Sequence, residues 1–98
     1  MQIEMLQGKL HRGAVTSTRI DYEGSLSVDP DLYEAAGMRE HQKIQVLDIT
    51  NGQRFETYLI AGERGTGEIA VNGAAARLVM PGDRVIVCTF VLMSEPEA

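Results

Sequence analysis

Short runs of alternating apolar and polar residues, separated by turn signals, make up most of the chain. Runs with strand character predict strands at residues 3–11, 13–22, 43–50, 53–61, 68–72 and 84–93; 53–61 alternates with a period of two, and 13–22 is rich in Val, Thr, Ile and Tyr. Turns are signalled between them at Gly24-Ser25, Asn51-Gly52, Gly65-Thr66-Gly67, Asn72-Gly73 and Pro81-Gly82. Asn51-Gly52 is typical of a hairpin, and Pro81-Gly82 fits the central pair of a type II turn. Many short strands with little helix predict a compact, mainly β barrel of one domain.

Two short helices interrupt the strands. Asp29 is a suitable cap for the first, with Pro30 at its first position and Gly37 at its end. The second runs from Gly73 to about residue 78, with Asn72 as a plausible cap. The last strand, RVIVCTFVLM, is almost wholly apolar, so we expect burial on both of its faces, with Cys88 as a small buried hydrophobe.

Composition and charge argue against several kinds of cofactor and partner. The chain has 98 residues, one Cys and two His, which exclude an internal disulfide and match no zinc spacing, so no metal is expected. Oligomerisation is the remaining way to stabilise so small a core. The net charge of −5 argues against a nucleic-acid partner. No leader pattern and no apolar run long enough to span a bilayer is found, which predicts a soluble cytoplasmic protein without a membrane partner.

Three groups of residues could carry chemistry, each with a structural alternative. Lys9 and His11 share one strand face and form either a solvated surface or a cationic wall for an acidic ligand. Arg54 and Tyr58 also share a face; they are either an exposed pair or a cation beside a proton donor. Asn72 with the small residues 73–76 forms either a tightly packed helix start or a helix N-terminus open to a carboxylate. Spacing alone does not choose, and by itself Gly24-Ser25 is only a turn.

The ordered set of motifs is more specific than any one of them. The motifs are LQGKLHR at 6–12, VT at 15–16, YEGS at 22–25, TNG-RF-TY at 50–58, AGERGTG at 61–67 and VNGAAA at 71–76. Together they cover nearly the whole chain and resemble the aspartate 1-decarboxylase family, whose pyruvoyl-dependent enzymes make β-alanine for pantothenate. The resemblance implies a double-psi β-barrel with two or three short helices, a homotetramer, and a maturation partner in some members.

The same resemblance implies self-cleavage between Gly24 and Ser25. The Ser25 hydroxyl would attack the Gly24 carbonyl, dividing a proenzyme of residues 1–98 into a β chain, 1–24, and an α chain, 25–98. Residue 25 would become a covalent pyruvoyl group that forms a Schiff base with L-aspartate and acts as an electron sink. The alternative is a non-catalytic double-psi barrel, a binding or assembly module that is never processed.

Roles for individual residues are also implied by the resemblance. Tyr58 would be the proton donor, and Thr57 would contact Gly24 during processing and the substrate afterwards. The residues that bind substrate would be Lys9, Arg54, Thr57, Asn72, Gly73, Ala74 and Ala75. His11 and Tyr22 would support them. Thr57 and Tyr58 are adjacent, so either a bulge aims both into one pocket or they act on different sides, across a subunit boundary for example.

Overall fold

Seven strands joined in one sheet form most of the molecule in a computed structural model that describes residues 1–98. The strands are β1 (Gln2–Ala14), β2 (Ser17–Arg19), β3 (Ser25–Val28), β4 (Lys43–Asp48), β5 (Arg54–Ala61), β6 (Ile69–Asn72) and β7 (Arg84–Ser94). Helix α1 spans Pro30–Ala35, and a 3₁₀ helix spans Gly73–Arg77. The predicted mainly β fold with few short helices is confirmed.

The sheet order, β1-β7-β4-β5-β3-β6-β2, encloses the short strand β3 between two neighbours. β3 runs parallel to β5, with Leu26 opposite Leu59, and antiparallel to β6, with Ser25 opposite Asn72. Apolar side chains of β3 to β7 meet in the core, where Leu26 and Leu59 are fully buried. The packed core therefore holds the start of β3 in register with the end of β6.

The boundaries around β1 and β2 differ from the predicted ones. β1 continues to Ala14, with Arg12 in a left-handed conformation (φ 64°) and a shift in the pairing with β7 between Leu10 and Gly13. The predicted strand at 13–22 is correct only for residues 13–14, the end of β1, and 17–19, which form β2. Thr16 separates them, and its hydroxyl accepts a hydrogen bond from the Ile69 N–H at 3.0 Å. The bulge in the β1–β7 pairing and this break both depend on partner strands, which the sequence pattern does not contain.

Strand β3 was not predicted, although it is buried along its whole length. Its sequence SLSV places serines at alternate positions, so it lacks the apolar run that identifies a strand buried on both faces. The turn prediction at Gly24-Ser25 is correct only for Gly24, which lies in a bend, whereas Ser25 is the first residue of the strand.

The predicted turns at Asn51-Gly52 and Pro81-Gly82 and the first helix are confirmed. Asn51-Gly52 joins β4 to β5 with Gly52 at φ 78°. At Pro81-Gly82 the glycine has φ 92°, and the Asp83 N–H donates to the Met80 carbonyl at 3.0 Å, as a type II turn requires. Asp29 caps α1 by accepting from the Asp31 N–H at 2.8 Å.

Two further predictions need correction. The second helix is a 3₁₀ helix, and the Asn72 side chain makes no capping bond to it. The last strand is buried in its first half, including Cys88, but Phe90, Val91 and Leu92 are exposed on this chain. Neither of the two helical segments has the length and apolar character needed to span a membrane.

Candidate active site

The Gly24–Ser25 peptide bond lies where the chain enters the core. Gly24 is exposed in its bend, while only 3% of Ser25 is accessible at the start of β3. The parallel pairing of β3 with β5 places Leu26 opposite Leu59. One residue earlier on each strand, Tyr58 is therefore the β5 residue level with Ser25. The bond therefore stands at the boundary between solvent and the packed sheet.

The Asn72 carboxamide contacts Ser25 directly. Its Nδ2 donates to the Ser25 Oγ at 3.0 Å and to the Ser27 Oγ at 2.9 Å. Asn72 is fully buried, and its Oδ1 has no hydrogen-bond partner. The Ser25 hydroxyl in turn donates a long hydrogen bond, 3.4 Å, to the Glu23 carbonyl. The Ser25 oxygen is thus held in one orientation beside the Gly24 carbonyl.

Gly73 packs against the same peptide segment. A Cβ at this position would lie 2.6 Å from the Gly24 Cα and 2.7 Å from the Gly24 nitrogen, which is closer than real Cβ contacts. Gly73 also has φ 71°, a conformation that favours glycine. Gly24 itself would accept a Cβ without meeting any atom within 4 Å. The steric need for glycine therefore lies at position 73 and not at position 24.

Two clefts flank the Gly24–Ser25 bond, and Asn72 lines both of them. The Tyr58 cleft, of about 430 Å³, is lined by Tyr22, Glu23, Ser25, His41, Tyr58, Ile60 and Asn72. The Thr57 cleft, of about 530 Å³, is lined by Gly24, Phe55, Glu56, Thr57, Asn72, Ala74, Ala75, Arg77 and Leu78. A smaller hollow of about 240 Å³, containing the Lys43–Glu56 ion pair, lies away from this bond.

Thr57 and Tyr58 face these two different clefts. Their strand pairs with β4 in unbroken register from Lys43 opposite Tyr58 to Leu47 opposite Arg54, so β5 has no bulge that could aim both side chains to one side. Of the two arrangements considered from the sequence, the structure has the one in which the residues lie on different sides. Thr57 lies with Gly24, and Tyr58 lies with Ser25.

Lys9 and Arg54, predicted to bind substrate, and His11, predicted to support them, line neither cleft. Lys9 and His11 are exposed on β1, which the sheet order separates from β5 by three strand-to-strand steps, roughly 14 Å along the sheet. Arg54 is exposed at the first residue of β5. Within one chain, the structure therefore groups Ser25 with Asn72, Thr57 and Tyr58 but leaves all three basic side chains outside.

The site also includes residues that sequence reasoning missed. Ser27 shares the Asn72 amide, and its position two residues after Ser25 on a strand was the available signal. His41 lines the Tyr58 cleft with φ 72°, held by its N–H donating to the Leu59 carbonyl at 2.6 Å. No sequence pattern marked His41.

Tyr22, predicted as a supporting residue, is oriented by a neighbour. The Arg19 guanidinium lies 5.2 Å from the centre of the Tyr22 ring, within the range of a cation–π interaction. Arg19 is itself paired with Glu68 at 3.3 Å. Tyr22, which lines the Tyr58 cleft, therefore packs on an Arg19 side chain that is itself held by Glu68.

Comparison with known proteins agrees with this arrangement. A family model described as aspartate decarboxylase matches residues 1–98. The chain belongs to the aspartate decarboxylase family. The family expected from the ordered motifs is thereby confirmed, and those motifs supply Gly24 and Ser25, Thr57 and Tyr58, and Asn72 to the two clefts.

Individual relatives cover the chain almost completely. An aspartate 1-decarboxylase of Ralstonia nicotianae is 54% identical over 97 residues, which is 99% of this chain and 81% of the relative. One from Caldicellulosiruptor saccharolyticus is 53% identical over 97 residues, 99% of this chain and 76% of the relative. One from Clostridium beijerinckii is 52% identical over 98 residues, 100% of this chain and 79% of the relative.

Proposed function

We propose that this member of the aspartate decarboxylase family converts L-aspartate to β-alanine and CO₂, as a carboxy-lyase that uses a pyruvoyl group made from its own Ser25. The observation that carries the proposal is the Ser25 Oγ, held by Asn72 at 3.0 Å beside the Gly24 carbonyl. β-Alanine is the product that pantothenate synthesis consumes.

Processing begins with attack of the Ser25 Oγ on the Gly24 carbonyl carbon through a five-membered ring. The C–N bond of the peptide breaks, the hydroxyl proton passes to the Ser25 nitrogen, and an ester joins the two residues. Loss of the Ser25 Hα then expels the Gly24 carboxylate and leaves dehydroalanine at position 25. Water replaces the nitrogen there, ammonia leaves, and a pyruvoyl group caps residues 25–98.

The residues around the bond fit this chemistry. A hydrogen bond from Asn72 to the Ser25 Oγ favours the negative charge that grows on this oxygen as its proton leaves. Thr57 lies in the cleft that Gly24 also lines, which supports a contact between Thr57 and the Gly24 carbonyl during processing. The pyruvoyl group, once formed, supplies an electron sink for loss of CO₂.

After processing, residues that line the two clefts bind the substrate and protonate the product. Tyr58, in the cleft beside residue 25, donates the proton that replaces the lost carboxylate. Asn72 lines both clefts and orients the substrate. The backbone at Gly73, Ala74 and Ala75 binds it closely, because these residues have almost no side chain. Tyr22, at the cleft edge, supports the site.

The aspartate carboxylates require cations, and the Tyr58 cleft, which Ser25 lines, has no Lys or Arg of its own chain; Arg77 lines only the Thr57 cleft. We assign these roles to Lys9 and Arg54 of a neighbouring copy in a homotetramer, with His11 beside Lys9. This assignment is supported by the position of all three side chains outside the clefts. It is also supported by large exposed apolar side chains, including Leu6, Phe90 and Leu92. A maturation partner that assists processing, and a cytoplasmic location, belong to the same proposal.

Mass spectrometry of the purified, denatured protein tests the proposal. We expect two fragments, residues 1–24 and a fragment from residue 25 that carries a pyruvoyl group and resists Edman degradation. Ser25→Ala is expected to remain intact and to release no CO₂ from labelled aspartate, whereas Ser17→Ala, which removes a hydroxyl from β2, should retain both activities. CO₂ release by Ser25→Ala would overturn the mechanism. A wild-type chain that stays intact and inactive would exclude unaided processing, and one that also stays intact when produced together with a maturation partner would indicate the non-catalytic module instead.

A further inference from the structure

Two serines on one face of β3 share the amide of a single asparagine. Ser25 and Ser27 are both buried, with 3% and 4% of their surface accessible. Their hydroxyl oxygens accept hydrogen bonds from the same Asn72 Nδ2, at 3.0 and 2.9 Å. A carboxamide nitrogen has two hydrogens, so each hydroxyl occupies one of them.

This sharing determines which way the Asn72 carboxamide points. In the observed orientation one acceptor, Oδ1, lacks a partner in the core. Each N–H has an acceptor in this orientation, and Ser27 supplies one of the two hydrogen bonds that hold the carboxamide nitrogen toward β3. Without the Ser27 hydroxyl, one buried N–H would lose its acceptor, and Ser25 alone would hold the carboxamide nitrogen.

We infer that Ser27 is a positioning residue for processing at Gly24–Ser25, an inference that rests on the proposed function. Ser27 accepts one N–H of Asn72 and so keeps the other aimed at the Ser25 Oγ, the attacking atom. Ser27 touches none of the reacting atoms and acts through Asn72.

The same contact matters after cleavage. Residue 25 then has no Oγ, so the N–H that it accepted is released. Asn72 lines both clefts, and the freed N–H is available to substrate there. Ser27 continues to hold the second N–H, so the carboxamide keeps its place. Position 27 is thus required at both stages, whereas the Ser25 hydroxyl serves only the first.

The cleavage rate tests this role. Freshly made protein is purified, and the cleaved fraction is followed over time by intact mass spectrometry. Ser27→Ala is expected to cleave about fivefold more slowly, the effect of one lost hydrogen bond on a rate. Ser27→Thr, which keeps a hydroxyl, should cleave faster than Ser27→Ala. Thr89→Val removes the hydroxyl of another buried residue, which contacts the Gly8 carbonyl, and is expected to cleave at the wild-type rate.

A double-mutant cycle separates positioning from general loss of stability. Asn72→Ala is expected to slow cleavage, and adding Ser27→Ala to it should slow cleavage no further, because the residue through which Ser27 acts is already gone. Equal rates for the wild type and Ser27→Ala would overturn the inference. So would a fivefold loss that persists in the Asn72→Ala background. If the wild type itself never cleaves, the proposed processing fails and this inference fails with it.

Discussion

A single glycine sets how closely β6 approaches the Gly24–Ser25 bond. Gly73 follows Asn72 directly, so the residue that holds the Ser25 hydroxyl is next to the one that packs on Gly24. Both contacts depend on a backbone with φ 71° at Gly73 and no Cβ there. The position of the Gly24–Ser25 bond relative to β6 therefore depends on the missing side chain at Gly73 as well as on the Asn72 hydrogen bond.

Gly73→Ala should therefore impair processing beyond its effect on stability. The added Cβ would have to displace the Gly24 backbone, 2.6 Å away, and shift the attacked carbonyl. Gly52→Ala is the matched control, because Gly52 has a similar φ of 78° but open space around a Cβ. We expect each variant to lose about 1–2 kcal/mol of unfolding free energy from backbone strain. Only Gly73→Ala should also lose cleavage, measured by intact mass spectrometry; equal cleavage by both variants would contradict this.

At the scale of elements, Asp29 joins three segments where β3 ends. Its Oδ1 accepts from the Asp31 N–H at 2.8 Å, which caps α1, and from the Gly65 N–H at 3.0 Å. Its Oδ2 accepts from the Gly67 N–H at 2.8 Å, so the loop after β5 is fastened to the same carboxylate. After cleavage β3 would begin a new chain, and Asp29 would anchor its far end.

These contacts lower the pKa of Asp29 below its ordinary value of 3.8. The Gly67 N–H is the largest cause; the Gly65 and Asp31 N–H groups act in the same direction, while burial opposes them. A carboxyl whose pKa is lowered by folding stabilises the protein fully above its unfolded value. That contribution is lost as the pH falls through the lower, folded value.

Asp29→Asn should therefore lower the melting temperature at neutral pH, because an amide group cannot accept from all three N–H donors. The deficit relative to wild type is expected to be constant from pH 7 to pH 5 and to shrink as the pH falls below 3.8, the unfolded value, toward the lower pKa of the folded state, where the folded wild-type carboxyl becomes protonated. Thermal melts across this range measure it. Asp21→Asn, which removes an exposed carboxylate, should show no such trend. A deficit that does not change with pH would disprove the role of the charge.

At the scale of the whole molecule, the chain exposes large apolar side chains and has basic side chains that line neither cleft. Leu6 lies opposite Phe90 across the β1–β7 ladder, and the two are 56% and 41% exposed. Lys9 follows on the same strand, away from both clefts of its own chain. A second copy that covers this surface is also the source from which we propose the substrate receives its cations.

Mixed oligomers test the shared site. Lys9→Ala alone should raise the KM for aspartate about ten- to a hundredfold, the effect of one lost charge-assisted hydrogen bond. Co-expression with Ser25→Ala, which cannot be processed but retains Lys9, should raise the rate per cleaved chain at low aspartate. Co-expression with a Lys9→Ala/Ser25→Ala chain is the control and should not. If both mixtures behave alike, Lys9 does not act across a boundary between copies.

Local chemistry allowed much of the fold to be predicted from the sequence. Asn51-Gly52, Pro81-Gly82 and the cap at Asp29 depend on neighbouring residues, and all three formed as expected. The ordered motifs were sufficient to identify the family. They also named most of the residues that meet at Gly24–Ser25, because the family resemblance that the motifs carry implies those residues, whereas spacing alone did not select them.

Contacts between distant residues were decided only by the tertiary structure. Asn72 is 47 residues from Ser25, and the register of β3 against β6 turned its side chain from an expected helix cap into the partner of two serines. The unbroken register of β5 sent Thr57 and Tyr58 to different clefts. Sheet order left Lys9 outside them. Register and strand order arise from packing of the whole core, so local patterns determined the elements, and only their assembly determined which side chains meet.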